Sequence, residues 1–355
     1  MRVVVIGATG NCGTALLRAL ELDPAVTEVV GVARRVPEAW RPEKVEWVAA
    51  DVAADDLAPV VRGADAVVHL AWLIQPSRDR DVLERVNVVG SGRVMDAVVA
   101  EDVPVFVQAS SVGAYSAAPL DGELRDESWP TDGVPPNDYS LQKARVERLL
   151  DGLELRAPDT RVVRLRPALV FQRSAASHIR RLFAGPFLPR WILRGDRIPF
   201  APDIPGLVTQ CVHADDLADA YRRAIVDPAA RGAYNVATDP LLDAEAIREG
   251  LGTSRSVRLS PDMVRRAADL AWHAHADPLP ADWLDMGMRS PLVDTTRIRT
   301  ELGWTPTYDA VSCLRELVAG MGDGAGYPTP PLDPGAGGPA RVKEFLTGLG
   351  SRDRA

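Results

Sequence analysis

The chain predicts an α/β fold in which a doubly wound parallel sheet, with helices on both faces, is joined to a smaller, mixed C-terminal lobe. Short apolar, β-branched runs near 2–6, 28–33, 45–49, 65–71, 103–110 and 161–170 alternate with helical periodicity near 12–22, 54–62, 81–101 and 139–152. The first run, Arg2-Val3-Val4-Val5-Ile6, passes straight into Gly7-Ala8-Thr9-Gly10-Asn11-Cys12-Gly13. A helix with Ala15, Leu16, Leu17 and Leu20 on one stripe follows. From about 171 the alternation breaks into short helices, Pro-rich turns and brief strands, until VHADDLADAYRRAIV returns a helix to the core.

A strand, a tight glycine turn and a helix start leave unpaired N–H groups and the positive end of the helix dipole facing outward. Such a junction favours an anion, and glycine admits a pyrophosphate where a Cβ would collide. An ordinary glycine-rich turn is the alternative. The second constellation separates the two. Tyr139 and Lys143 lie one helical turn apart and so share a face, downstream of Ser110 and Ser111. A phenol with a pKa of about 10 exchanges protons poorly near neutrality unless a cation stabilises its phenolate, and Lys143 supplies one. Further help is expected from a cationic nicotinamide. Taken singly, Tyr139 would pass for a core residue and Lys143 for a solvated charge.

The motifs GATGNCG at 7–13, HLAW at 69–72, VNVVGSG around Asn87, QASSVGAY at 108–115, YSLQK at 139–143, LRPALVF at 165–171, VHADDLADA at 212–220, YNVAT at 234–238 and LGWTP at 302–306 stand in a fixed order. In that order the chain resembles the extended short-chain dehydrogenase/reductase family, also described as the NAD-dependent epimerase/dehydratase family, over most of residues 1–320. The resemblance implies a Rossmann-type sheet and a catalytic set of Ser111, Tyr139 and Lys143. Tyr139 would exchange the proton, Lys143 would hold the nicotinamide ribose and depress the Tyr139 pKa, and Ser111 would bind the substrate oxygen. It also implies cofactor contacts from Gly7, Thr9, Gly10, Asn11, Cys12, Gly13, Asp51, Val52, Leu70, Ala71, Trp72, Asn87, Tyr139, Lys143 and Pro167. Asn87 would support a proton-relay water, although a helix-surface role fits its context as well. For Asp51, capping the next turn is the alternative to an adenine contact.

Cofactor choice is read at the end of the second strand. An acid there would bind the adenosine ribose and repel a 2′-phosphate. The chain has Ala33 followed by Arg34 and Arg35, two guanidinium groups suited to bidentate phosphate contact, so NADP is expected over NAD. Surface charge is the competing account of one or both arginines.

At 355 residues and 46% hydrophobic, the chain suits a dinucleotide-binding core over 1–170, completed by about 212–238, and a substrate lobe from 171–211 and 239–320. Residues 321–355 are expected to be a Gly/Pro-rich linker unable to bury a core, with a short terminal helix around 341–349. Three isolated cysteines, Cys12, Cys211 and Cys313, lack metal or disulfide spacing, so no metal is expected. A net charge of −8 argues against nucleic acid, and the absence of a long apolar run argues against a membrane partner. A cytoplasmic protein acting on a small-molecule substrate, with a homodimer allowed, is the expectation. Arg161, Arg164 and Arg166 are expected to be mostly scattered surface charge. His213 is expected at a strand end before a helix cap at Asp215-Asp216.

Departures from the family bear on substrate. Sugar-nucleotide dehydratases carry an acidic pair after the residue matching Ser111, where this chain has Val112-Gly113. The asparagine and arginine that bind a nucleotide diphosphate in many relatives match Leu169 and Thr209 here. The expected substrate is therefore a small, apolar, non-nucleotide carbonyl or secondary alcohol. Trp72 is expected at the pocket, and Trp191, Phe183, Phe187, Trp272 and Trp283 are expected chiefly in the lobe core. An epimerase using transient oxidation, and a non-catalytic dinucleotide sensor, are the two other functions weighed.

Overall fold

The computed structural model describes residues 1–74, 79–183, 190–194, 197–274 and 279–335. Seven strands form the central sheet. β1 (Arg2–Ile6), β2 (Glu28–Ala33), β3 (Val45–Ala49), β4 (Ala66–His69) and β5 (Val105–Ala109) are joined by strands Arg161–Pro167 and Gly232–Val236. The spatial order is β3-β2-β1-β4-β5, then Arg161–Pro167, then Gly232–Val236, with parallel pairing throughout. The chain reverses its direction of travel across the sheet between β1 and β4, and the crevice at their carboxyl ends is where such sheets take ligands. In β1, Val3 and Val5 enter one core layer with Leu16, Leu17, Leu20 and Tyr221. Val4 and Ile6 enter the other with Val67, Val94, Phe106 and Leu150. Burial on both faces is why these strands are continuously apolar.

The flanking helices are α1 (Asn11–Leu22), α2 (Ala58–Val61), α3 (Arg80–Glu84), α4 (Gly90–Ala100) and α5 (Asp138–Arg156). The single helix expected near 81–101 is interrupted by a π-helical turn over Arg85–Val89. Helix α2 is shorter than the periodicity suggested.

A second, three-stranded sheet lies outside the core. Strand Thr209–His213 pairs parallel with Leu169–Phe171 and antiparallel with Thr238–Leu242. Helix Ala310–Asp323 covers it, and there Cys211 and Cys313, remote in sequence, meet in one buried cluster. His213 itself caps helix Ala214–Val226 by accepting from Asp215 N at 3.2 Å. The Asp216 carboxylate instead accepts from Thr307 N at 2.9 Å and Tyr308 N at 3.0 Å, while Trp304 Nε1 donates to its carbonyl. This locks the LGWTP segment onto the core.

Two expectations are corrected here. The arginines of strand Arg161–Pro167 are structural rather than surface charge. Arg161 donates to the carbonyls of Ala224, Ile225 and Ala230 at the end of helix Ala214–Val226, while Arg164 and Arg166 are buried around Glu147. A charge in an otherwise apolar central strand is tolerated only when paired. The stretch from 321 is likewise no bare linker over its described part. The last helix runs to Asp323 and ends at Gly324 with φ +71°. The chain then folds back so that Leu332 is fully buried with Ala176, Ile179 and Leu317. Thr329 Oγ1 donates to Thr9 O at 2.9 Å, and Tyr327 packs edge-on against Trp40. Arg181 adds hydrogen bonds to Pro331 O at 3.0 Å and Asp333 O at 2.8 Å, so a segment whose composition promised little burial is anchored at several points. The helix expected at 341–349 lies outside the described residues. No helix among the described residues is long and apolar enough to cross a membrane.

Glu147→Ala would strand the buried Arg166 guanidinium, while Arg164 keeps Asp151 and Glu154, and a loss of about 3–5 kcal/mol of unfolding free energy is expected, checked by urea denaturation. Burial pushes the Glu147 carboxyl up, but Arg166, Ser110 and Arg164 together outweigh it and hold the group down at about 2, against an ordinary 4.5. Its stabilisation is therefore fully present above about pH 4.5 and is lost as pH falls towards 2. The urea midpoint of Glu147→Gln should consequently fall less steeply than that of the unaltered chain across this range.

Candidate active site

The glycine turn closes the crevice floor. Gly7 has φ +89°, and a Cβ on it would lie 2.6 Å from Ala71 N, at the end of β4. A Cβ on Gly13 would lie 2.5 Å from Gly7 O. The two glycines thus set the approach of α1 and β4 to the turn. Gly10 differs, since its Cβ would meet only Gly7 O, at 3.5 Å. As the N-cap of α1 it makes no side-chain cap, and the first turn carries no acid, so that helix end faces open space above Gly10. This cradle fits a pyrophosphate.

Not every residue expected to touch a cofactor is free to do so by its side chain. The Asn11 amide donates to Val170 O at 3.0 Å and accepts from Gln172 Nε2 at 2.7 Å, tying α1 to the lobe. Asp51 Oδ1 accepts from Ala53 N at 2.9 Å, the turn-capping role weighed for it. Val52 is buried against Gly90. Arg34 and Arg35 are exposed just past β2. Pro167 ends its strand in the core, and Leu70 continues β4, with its N–H donating to Ile6 O at 2.7 Å.

Asn87 is no surface residue. It is 1% exposed within the π-helical turn, accepts from Leu73 N at 2.8 Å, and donates to Leu73 O at 3.1 Å and Gln142 Oε1 at 2.9 Å. It clamps the chain after β4 to α5.

Helix α5 carries Tyr139 and Lys143 into the crevice. Asn137 caps it by accepting from Ser140 N. Ser140 Oγ donates to Gly113 O at 2.6 Å and accepts from Val134 N at 2.6 Å, fastening the helix to the turn after Ser111. Ser111 Oγ accepts from Gly113 N at 3.0 Å, and Ser111 Oγ and the Tyr139 ring both lie against Gly113, close enough for Ser111 to lower the Tyr139 pKa. Serine, tyrosine and lysine are therefore gathered at one place. A Cβ at Gly113 would lie 2.9 Å from Tyr139 Cε1, which explains why the position after Val112 bears no side chain here.

The electrostatics differ from the expected acidified phenol. Burial pushes Tyr139 up to about 12, opposed by the nearby Ser111 hydroxyl, and pulls Lys143 down to about 7. The ammonium does not reach the phenol. It donates to Ala109 O at 2.7 Å and sits 3.6 Å over the Trp72 ring. The chain's own groups thus leave Tyr139 a proton holder at neutral pH.

Beside Tyr139 opens a cavity of about 240 Å³ lined by Leu73, Leu83, Gln142, Trp272, Asp282 and Trp283, among others. Trp72 meets Tyr139 edge-on at 6.0 Å, and Trp283 lies at 5.4 Å from it. Trp272 and Trp283, expected in the lobe core, line this cavity instead. Trp191 is 58% exposed, and Phe187 and the side chain of Phe183 lie outside the described residues. Gln142, Asn137 and Ser140 escaped the sequence reading. Their only signal was membership of the helix start around YSLQK.

A glycine cradle facing a serine, tyrosine and lysine cluster across a switch-point crevice defines an enzyme of the short-chain dehydrogenase/reductase class. The chain belongs to the NAD dependent epimerase/dehydratase family, whose model matches residues 3–237. An uncharacterized protein of Mycobacterium tuberculosis (strain ATCC 25618 / H37Rv) is 29% identical over 321 residues, 89% of this chain. The chain spans only 30% of the length of that relative. A dTDP-glucose 4,6-dehydratase of Streptomyces griseus is 28% identical over 275 residues, covering 73% of this chain and 72% of that protein. Among solved structures, MoeE5 in complex with UDP-glucuronic acid and NAD matches with a TM-score of 0.66 at 20% identity, over 90% of this chain and 99% of that one. The UDP-glucose 4-epimerase of Thermus thermophilus in complex with NAD also gives 0.66, at 19% identity, over 90% and 99%. Both likenesses establish the fold.

Gly113→Ala should displace the Tyr139 ring. The expected outcome is a folded protein with unchanged far-ultraviolet circular dichroism but altered near-ultraviolet signal from the Trp72–Tyr139–Trp283 group.

Proposed function

We propose that this chain is an NADP-dependent oxidoreductase acting on the carbonyl or secondary alcohol of a small, non-nucleotide substrate. The observation that carries this reading is the gathering of Ser111, Tyr139 and Lys143 in one crevice, with Tyr139 in the wall of a cavity that two indoles also line. Uncapped N–H groups at the start of α1 would hold the pyrophosphate, Val52 would line the adenine side, and Arg34 and Arg35 would take the 2′-phosphate. When bound, the nicotinamide supplies or accepts hydride. Ser111 orients the substrate oxygen by hydrogen bonding. Tyr139, protonated at neutral pH, donates its proton to that oxygen in the reductive direction. Lys143, held by Ala109 O and the Trp72 face, lies where it would bind the nicotinamide ribose and return charge to the site.

A second reading, epimerisation through transient oxidation, uses the same three side chains and is supported by family membership and by the NAD-bound epimerase that shares the fold. The lack of a hydrogen-bonding amide at Leu169 and of a guanidinium at Thr209 weighs against a diphosphate-bearing substrate for it.

Titration of the purified chain is expected to give NADPH binding at least about tenfold tighter than NADH, a difference of about 1.4 kcal/mol. Arg34→Ala/Arg35→Ala should abolish that preference. A clear preference for NADH rejects the NADP assignment. On a ketone and aldehyde panel, Tyr139→Phe should lower NADPH oxidation by about 10²–10⁴-fold. Isomerisation without net cofactor consumption would favour the epimerase.

A further inference from the structure

We infer that Asp282 sets substrate specificity, and that the substrate is an apolar ring compound carrying a hydrogen-bond-donating group, hydroxyl or ammonium, and no anionic one. The inference rests on the reading that the cavity beside Tyr139 receives the substrate. Its walls are flat and apolar at Trp272, Trp283, Pro280 and Leu73, a surface suited to a ring.

The charged members of the lining are Arg80, Asp138 and Asp282. Arg80 Nε pairs with Asp138 Oδ2 at 2.9 Å, and with one cation against two carboxylates the described lining carries one net negative charge. Asp282 remains. Its hydrogen-bond partner is Asn137 Nδ2, at a long 3.3 Å, leaving most of the acceptor capacity of this lining carboxylate unused by the described residues. Being half-buried, that carboxylate gains from any donor brought to it, and burial, the largest influence, together with Asp138 and Asp285 raises its pKa. A ligand ammonium or hydroxyl would supply the missing donor. A ligand carboxylate or phosphate would meet Asp282 in a lining whose one described cation, Arg80, already faces two carboxylates.

Asp282 also opens the helix Asp282–Arg289, where an acid favours the helix dipole, and it touches the cap of α5. A purely structural role would weaken all ligands alike, whereas a specificity role changes their ranking. The test is calorimetric titration of the full chain with cyclohexanones bearing a 4-aminomethyl, 4-hydroxymethyl or 4-carboxy group. The first two should bind at least about tenfold tighter than the third. Asp282→Asn should bring the three within about twofold, chiefly by strengthening the carboxylate, and Asp282→Glu should preserve the ranking. Equal or tighter binding of the carboxylate, a ranking unaltered in Asp282→Asn, or binding by none of the three overturns the inference. NADPH-dependent turnover is measured separately. An intact ranking without turnover would overturn the redox reading alone, and turnover without the ranking would overturn the role of Asp282 alone.

Discussion

The buried carboxylate of Glu147 is the joint on which the crevice depends. It accepts from Ser110 Oγ at 2.6 Å, Arg166 Nε at 2.9 Å, Arg166 Nη2 at 2.9 Å and Arg164 Nη1 at 3.1 Å. Those donors belong to the end of β5 and to strand Arg161–Pro167, while Glu147 belongs to α5. Because it stands one turn past Lys143 and two past Tyr139, the same helix face that meets the arginines meets the crevice. Such a bridge contributes less net stability than its distances imply, since desolvating the charges offsets most of the attraction. Its consequence is register: α5 can neither rotate nor slide without stranding a buried charge.

The joint extends to the lobe. Arg166 Nη1 donates to Tyr115 OH at 3.0 Å, and Tyr115 donates in turn to Asn235 Oδ1 at 2.7 Å. Asn235 Nδ2 donates to Asp294 O at 3.1 Å and Arg125 O at 3.3 Å, beside the short paired strands Leu124–Arg125 and Leu292–Val293. Burial without a nearby cation strong enough to offset it pushes Tyr115 up to about 12, so it remains a neutral relay of hydrogen bonds. A continuous chain of hydrogen-bonded polar groups thus runs from the Tyr139 helix to Arg125 and Asp294, close in sequence to the helix that supplies Asp282 and Trp283.

What the sequence disclosed follows from which interactions are local. Strand and helix periodicity record burial on each element separately, so the sheet and the α1 turn could be read directly, as could Gly7 and Gly13, whose need is a close backbone approach. Glu147 is a contact between elements, and spacing along the chain does not reveal which strand a helix faces. A signal existed nonetheless in the stripe Tyr139, Lys143, Glu147 and in arginines set within an apolar strand. The fold-back at 324–335 was hidden because Leu332 and Thr329 lie among glycines and prolines that dominate any average. Trp272 and Trp283 were misplaced because helical periodicity cannot tell a face packed in a core from one that walls a cavity.

The opposed pKa shifts of Tyr139 and Lys143 have one origin and divide their roles. Both are crowded by apolar groups, which disfavours phenolate and ammonium alike. Were the ammonium aimed at the phenol, its charge would work against the burial of Tyr139. Instead its contacts are a carbonyl and an indole face, both of which favour a cation locally without acidifying the tyrosine. Glu147, four residues on, adds negative charge that also raises the lysine's pKa. The network that fixes α5 therefore also keeps a cation within reach of the crevice, and Tyr139 remains a proton donor whose acidity rises only when a further positive charge comes close.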